Sequence, residues 1–377
     1  MMKIDAVDAA EICVRCGSCL KACHMFLTSG KVQHAAALKI RKLRKLGLDG
    51  INLEHDYHDY YDYAFECSGC RRCAIFCPFS IDTASYVSRA RGQLTSTGKC
   101  PESLHELAET QVMKGERWQS HIKTFRLGIE MLEKQYNVRI PVEEKADILY
   151  VALQGAHTIA PAAKIFNAVD ENWTLSIFEA SNFAFFLGDM ERAKQIAGRV
   201  RDEAERVEAR EIVITECGHA YRVFKLLFPK WFGKDFRIRN VVEVVADYLK
   251  RSEIELKSTI KTPLTYHDPC QAARNGGLIE EPRFVLSQIA EDFREMSPNK
   301  EFNFCCGGGG GLVAVPELSE VRLRAGEVKV RQIRETGAEI VSTICENCKT
   351  QLKDLREYYR MSYEIAGVID LVAQCME

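Results

Sequence analysis

The sequence predicts an α+β protein in which a helical, cysteine-bearing module precedes two pseudo-repeated α/β lobes. Three observations carry that prediction. Thirteen of the 16 cysteines in the 377-residue chain fall into three ordered groups. Two of those groups repeat one spacing inside the N-terminal third. Farther on, residues 146–250 can be laid over residues 260–377, strand signal on strand signal.

The overall numbers narrow the possibilities. A chain of 377 residues suits two or three domains of ordinary size. Charged residues make up 28% and the net charge is −2, so nothing points to nucleic-acid binding or to a disordered chain. The opening MMKIDAVDAAEIC has no basic n-region and no apolar h-region, so no export signal is expected. With no uncharged apolar stretch of membrane length, no membrane span is expected either. Thiols in such a chain point to metal rather than to disulfides. The expected location is the cytoplasm, or the inner membrane surface through a partner.

The N-terminal module comes first. Cys13, Cys16, Cys19 and Cys23 follow C-x2-C-x2-C-x3-C, and Cys67, Cys70, Cys73 and Cys77 repeat it with Pro78 behind. Such a run wraps three thiolates around one iron–sulfur cube and sends the fourth to the other. The expected sets are therefore Cys13, Cys16, Cys19 and Cys77 for cubane 1, and Cys67, Cys70, Cys73 and Cys23 for cubane 2. Zinc motifs rarely set thiolates at three-residue steps, which disfavours zinc. His24 stands where a proline usually follows the run. Between the runs, Lys39–Leu46 reads as a basic amphipathic helix, with a solvated face packed beside the clusters as the favoured reading over a docking surface. The tyrosines of 55–63 suit a shield for a cluster or ordinary packing, and His55 and His58 are not needed as ligands. After Pro78, residues 84–91 read as helical, 92–115 as a connection, and 116–140 as a helix ending before Pro141. The expected domains are 1–100 for the dicluster module, 101–145 for a helical connection, and 146–255 and 256–377 for the two lobes.

Within the lobes, Asp147–Leu153 matches Thr262–Asp268, Phe178-Glu179-Ala180 matches Phe304-Cys305-Cys306, and Glu211–Cys217 matches Glu339–Cys345. Helical stretches 188–209 and 317–337 lie between. Each half reads as parallel strands joined by helices, with ligand loops at the strand ends. Only the second half carries Cys270, Cys305, Cys306, Cys345 and Cys348. The first has Gly155 or its neighbours, Glu179-Ala180 and Ala220 in those places and keeps only Cys217, in Glu216-Cys-Gly-His-Ala220. Five thiolates on three loops exceed a tetrahedral zinc site and suit iron–sulfur. The glycines 307–311 lack the Lys-Ser/Thr of a phosphate loop and suit close backbone approach to a cluster.

The pattern C-x34-C-C-G-x37-C-x2-C, behind two ferredoxin-type runs, resembles the cysteine-rich CCG domain of the heterodisulfide reductase family across essentially the whole chain. Similar relatives include the iron–sulfur subunit of the sulfite-reductase-associated membrane complex and subunits of benzoyl-CoA reductase complexes. The resemblance implies a noncubane [4Fe–4S] cluster on Cys270, Cys305, Cys306, Cys345 and Cys348, in one CCG-type lobe rather than two. It implies an oxidoreductase subunit that passes electrons between two [4Fe–4S] cubanes and that cluster, with disulfide or thiol chemistry there. Cys217 and His219 are the candidate catalytic pair, with an inert buried cysteine as the alternative. His267 is a candidate outer partner of the site, with a satisfied structural histidine preferred. A pure relay and a structural or sensing subunit are the other functional readings. No G-x-G-x-x-G opens a helix after a strand, so no flavin or NAD is expected on this chain. The expected partners are a flavoprotein or membrane cytochrome subunit, and a disulfide or thiol-bearing protein as substrate. Cys100 and Cys375 receive no role.

Overall fold

The structure is a computed structural model that describes residues 11–47, 53–153 and 155–377. The opening segment 1–10, read above for an export signal, and Gln154 beside Gly155 lie outside the described residues.

Two stretches of buried apolar sequence form the two sheets. In the first, β1 (Ile148–Val151), β2 (Trp173–Leu175), β3 (Glu211–Ile214) and β4 (Arg237–Asn240) run parallel in the order β2-β1-β3-β4. In the second, β5 (Leu264–Tyr266), β6 (Phe293–Arg294), β7 (Ile340–Ser342) and β8 (Glu364–Ala366) run parallel in the order β6-β5-β7-β8. The two orders are the same once the strands are renumbered. Registers agree as well: Ile148 lies opposite Trp173 and Glu211, and Leu264 opposite Phe293 and Ile340. Every residue of β1 is buried, as expected when helices cover both faces of a parallel sheet. In this order the chain reverses direction across the sheet between the first strand and its two neighbours, and the crevice at the carboxyl ends of the strands is where such sheets take ligands. One apolar core runs through both lobes, from Leu149 and Val213 through Val242 and Leu286 to Val372.

The N-terminal module is helical. Ser18–Ala22, His24–Ser29, Ala36–Leu43, His58–Phe65, Arg72–Ile75 and Thr83–Ser96 surround a second core. That core includes Met25, Leu43, Phe65 and Leu94, and it also takes Phe186 and Leu187 from the first lobe and Leu312 from the second. The module therefore sits on both lobes at once.

Two expectations need correction. Residues 92–115, read as a connection, belong mainly to two helices, Thr83–Ser96 and Glu102–Glu116. The break between them is confined to 97–101, where Gly98 has φ +71° and Pro101 stands at the N-cap of the next helix. The other Gly and Ser residues of that stretch sit on helix faces. Lys39 is not on a solvated face. It is 2% exposed, and its ammonium donates to the carbonyls of Tyr63 (2.8 Å) and Glu66 (3.3 Å). Lys42 is the neighbour that faces outward, paired with Asp59. Downstream, Trp118–Tyr136 is a single helix that ends on left-handed Asn137 before Pro141. Among the described residues no helix is long and apolar enough to cross a membrane.

Candidate metal centre

Both cysteine runs fold the same way because the same two positions turn left-handed. Cys16 is flanked by Arg15 (φ 56°) and Gly17 (φ 79°), and Cys70 by Gly69 (φ 60°) and Arg71 (φ 62°). Left-handed residues next to right-handed ones turn successive backbone N–H groups to one side, the nest that recurs at iron–sulfur sites.

The second run closes a small, almost wholly apolar cavity. Its walls include Cys67, Cys70 and Cys73, and Cys23 enters from the first run. Burial pushes the Cys23 thiol up to about 11 and the Cys73 thiol higher still. Neutral thiols are thus favoured while the cavity holds no positive ion, and iron would reverse that preference. Lys39, whose pKa is lowered by burial, also lies close enough to Cys23 and Cys67 to interact with their charges. Cys13 and Cys77 pack against Ile40, Ile81 and Tyr86, and Cys19 lies within electrostatic reach of both. Cys16 is exposed and bonds Ser18. Cys19 also acts on Cys73, so the two sets adjoin.

The third group converges at the carboxyl ends of β5 and β7. Cys270 and Cys305 are 3.9 Å apart and Cys306 and Cys348 are 3.4 Å apart. Cys270, Cys305, Cys345 and Cys348 line one enclosed cavity with His219, Phe186 and Gly309. Cys306 stands behind it, and a ring nitrogen of His267 lies within 4.8 Å of the sulfurs of Cys306 and Cys348. His267 is buried, and its Nε2 has no hydrogen-bond partner. An orphaned polar atom in such a place calls for a missing acceptor, and cluster or thiolate sulfur is one. The donor set of five thiols around a cavity fits an iron–sulfur cluster.

The module and this site touch. The Cys70 thiol hydrogen-bonds Cys305, which with burial pushes it well up. His24, the residue in the usual proline place, is fully buried and reaches Ser68 (3.5 Å) and Cys305. The glycine run makes this approach possible. A Cβ on Gly310, itself at φ +67°, would lie 2.5 Å from the Cys67 carbonyl oxygen, and one on Gly309 would lie 2.8 Å from that of Ser68. The run was expected to admit a cluster; it also admits the neighbouring cysteine loop. Buried Arg91 fastens the joint, donating to the carbonyls of Cys67 (2.8 Å), Gly310 (2.7 Å) and Phe186 (2.8 Å). Arg274 does the same for Cys70 (2.8 Å) and Glu301 (2.6 Å). Sequence reading placed Arg91 only on a helix and did not single out Arg274, since a cation bonded to carbonyls has no spacing of its own.

Cys217 is 1% exposed and lies beside Cys345, and a Cβ on Gly218 would meet the Cys345 sulfur at 3.2 Å. Burial, and then the charge of Cys345, push its thiol well up. His219 Nδ1 is 3.3 Å from the Cys217 sulfur, and its Nε2 accepts from the Asn182 backbone N–H at 3.1 Å. That acceptor role puts the ring proton on Nδ1, facing the sulfur. Burial holds the His219 pKa down to about 3, so the ring is neutral around pH 7. Its ring packs at a tilt on Phe186, with centroids 4.6 Å apart. An open cleft between the helix Thr83–Ser96 and the first lobe reaches this cavity at Phe186, Gln271 and Gly310. Cys100 and Cys375 lie elsewhere, in other packing environments.

Known proteins match this arrangement. Residues 9–81 match the 4Fe-4S dicluster domain and residues 264–353 the cysteine-rich CCG domain. The chain is a homologue of heterodisulfide-reductase-like iron–sulfur oxidoreductase subunits. It is 28% identical to the Hdr-like menaquinol oxidoreductase iron–sulfur subunit 2 of Archaeoglobus fulgidus, over 97% of this chain and 79% of that one. It is 27% identical to a dihydromethanophenazine:CoB–CoM heterodisulfide reductase polypeptide of Methanosarcina barkeri, over 100% and 95%. A polypeptide of the fumarate reductase (CoM/CoB) of Methanothermobacter marburgensis is 32% identical over 42% of this chain and 32% of that one. The chain is thus a redox-active oxidoreductase subunit of this kind, with a dicluster module that supports two cubane clusters and a cysteine-rich lobe.

Proposed function

We propose that this chain is an electron-transferring subunit whose N-terminal thiols hold two cubanes, whose second lobe holds one noncubane [4Fe–4S] cluster, and whose task at that cluster is disulfide or thiol redox chemistry. When bound, the clusters supply one-electron transfer between a partner and the buried site. The observation that carries the reading is the Cys70–Cys305 contact, which joins the module to the second lobe without intervening side chains. The ligand assignments are Cys13, Cys16, Cys19 and Cys77; Cys67, Cys70, Cys73 and Cys23; and Cys270, Cys305, Cys306, Cys345 and Cys348. Exposed Cys16, with Val14, Ile75, Phe76 and Phe79 exposed around the first set, favours that end as the face toward a partner. The names of two relatives, a menaquinol oxidoreductase and a heterodisulfide reductase, support a quinone-linked cytochrome or a flavoprotein in that place.

Splitting a disulfide consumes two electrons and two protons and releases two thiols, with the electrons coming from that partner. The chain's own contribution is to hold Cys217 beside Cys345, a wall of the cavity, with its sulfur facing the His219 Nδ1–H. That donor stabilises negative charge on sulfur without carrying charge itself. Phe186 and Gln271, between the cleft and the cavity, restrict water and leave a route for a small or extended disulfide.

The test uses reduced holoprotein and a symmetrical alkyl disulfide. The expected result is two thiols released per disulfide, with Cys217→Ala slower by roughly tenfold or more at unchanged iron content. Reoxidation by a partner acceptor with no thiol release from any disulfide would sink this reading and leave a relay.

A further inference from the structure

The second lobe carries a buried polar chain that ends at its cysteines. Lys329, on the helix Glu327–Thr336, is fully buried. Its ammonium has three donors and three acceptors: Asn303 Oδ1 at 2.6 Å, Gln332 Oε1 at 2.6 Å and Met296 Sδ at 3.5 Å. Burial pulls its pKa down to about 7, while the charges of Cys306, Asp268 and Cys305 support the ammonium. Gln332 is anchored in turn through its Nε2, which donates to the Pro298 carbonyl at 2.7 Å.

This lysine decides which way Asn303 points. An ammonium only donates, so the amide oxygen must face Lys329 and the amide NH2 must face His267. Asn303 Nδ2 lies 3.3 Å from His267 Nδ1. Nδ1 is therefore an acceptor, and the ring proton sits on Nε2. The ring cannot easily turn away. The His267 N–H donates to Ser342 O at 2.9 Å, and its carbonyl accepts from Thr343 Oγ1 at 3.0 Å. The next residue, Asp268, is gripped by Arg283 through two bonds of 2.8 Å. What remains is a buried Nε2–H without a partner, on a ring one nitrogen of which lies within 4.8 Å of the sulfurs of Cys306 and Cys348.

We propose that Lys329 and Asn303 are positioning residues that hold His267 as an Nε2–H donor toward the sulfurs of the second-lobe centre and thereby raise its reduction potential. The inference rests on that lobe holding an iron–sulfur cluster, and failure of that premise would show separately as missing iron. Hydrogen bonds to cluster sulfurs stabilise the reduced, more negative state, and the outer partner sets their direction. His267 thus serves the site through its proton rather than as a metal ligand.

The test begins with the native holoprotein, poised so that the second-lobe centre is paramagnetic. Hyperfine spectroscopy should find an exchangeable proton besides that of the Gly307 N–H, which donates to Cys305 at 3.5 Å, and a weak histidine 15N coupling. A strong 15N coupling, as from direct ligation, or no additional exchangeable proton would overturn the proposal. Two variants then move the proton. Asn303→Asp offers an acceptor to Nδ1, which draws the proton there and leaves Nε2 bare. Lys329→Met releases the amide to turn. In both, the coupling of the additional exchangeable proton should disappear. The reduced-to-oxidised ratio of this centre at fixed potential should fall tenfold or more, about 59 mV for a one-electron couple. The two cubane signals in the same titration should stay in place. Unchanged potential and retained coupling in an iron-replete variant would overturn the proposal. If either variant loses iron, the native spectrum alone decides.

Discussion

The two lobes share strand order and register, yet one gathers five thiols and the other serves to hold the molecule together. The loop Asn303–Cys306 ends in two thiols, of which Cys305 lines the cavity and Cys306 lies 3.4 Å from Cys348. Its counterpart around Phe178-Glu179-Ala180 is tied down instead. Glu179 accepts from Gln111 at 3.0 Å, and Arg199 donates to the Glu179 carbonyl and stacks over Phe178. Gln111 also bonds Ser181, so the helix Glu102–Glu116 closes over the place where a second cluster would sit. The helix behind each loop shows the same contrast in sign. In the first lobe Glu203 holds the loop, accepting from Ser176 and from the Ile177 N–H (2.8 Å). In the second, Lys329 holds it through Asn303. The loop with thiols is thus held by a buried cation, and the one without them by a buried acid together with Arg199 of the same helix. The lobe without these thiols thus puts the same scaffold to a mechanical use.

The most drastic way to break the comparison is to remove the second lobe's difference. Cys306→Ala should bring the iron content from about twelve to about eight atoms, since each cube or cluster carries about four. The cubane spectrum should remain, because Cys67, Cys70, Cys73 and Cys23 lie across the joint. Iron analysis with EPR of the reduced protein checks this. Loss of all iron would mean that the two regions fold as one metal-dependent unit.

Much of this contrast was legible in the sequence because ligand spacing and strand repeats are local patterns. The 38-residue interval from Glu179 to Cys217 and the 40-residue interval from Cys305 to Cys345 placed the two loops correctly on matching strand ends. The joint was not legible. Arg91, Arg199 and Arg274 act through carbonyls scattered along the chain, and no periodicity marks them. Lys39 was misread because a basic run looks solvated, although it falls on the same helix stripe as Ala36, Ile40 and Leu43, all of which are buried. That stripe was the available signal. Lys329 carried a similar one, between buried Val328, Val330 and Ile333.

A second test addresses how the lobes are locked face to face. Buried Glu216, next to Cys217, pairs with Lys349 at 2.9 Å and accepts from the Ile369 N–H at 3.0 Å. Lys349 also reaches Asp370 at 3.3 Å. The matching residue before Cys345 is apolar Ile344, so this pair exists on one side of the pseudo-repeat only. Lys349→Met leaves the Glu216 carboxylate buried without its partner and should cost about 3–5 kcal/mol. Chemical denaturation of the holoprotein reads that cost. A change below about 1 kcal/mol would mean that the lobes are held by their shared apolar core and that the ion pair adds nothing.

The smallest expected effect tests the acid behind the loop that carries no thiols. Burial raises the Glu203 carboxyl to about 7, against the opposing bonds from Ser176 and Ile177. A carboxyl with a raised folded pKa binds its proton more tightly in the folded state. Its folded form is therefore favoured at low pH, and stability is lost as pH climbs from the unfolded value near 4.5 to about 7. Glu203→Gln keeps the shape and removes the titration. Relative to the native protein it should gain stability across that window, by at most on the order of 3 kcal/mol, with most of the gain present by pH 8. Thermal unfolding of both proteins at pH 5 and pH 8 gives the comparison. The same substitution shift at both pH values would show that burial does not raise the Glu203 carboxyl in the fold.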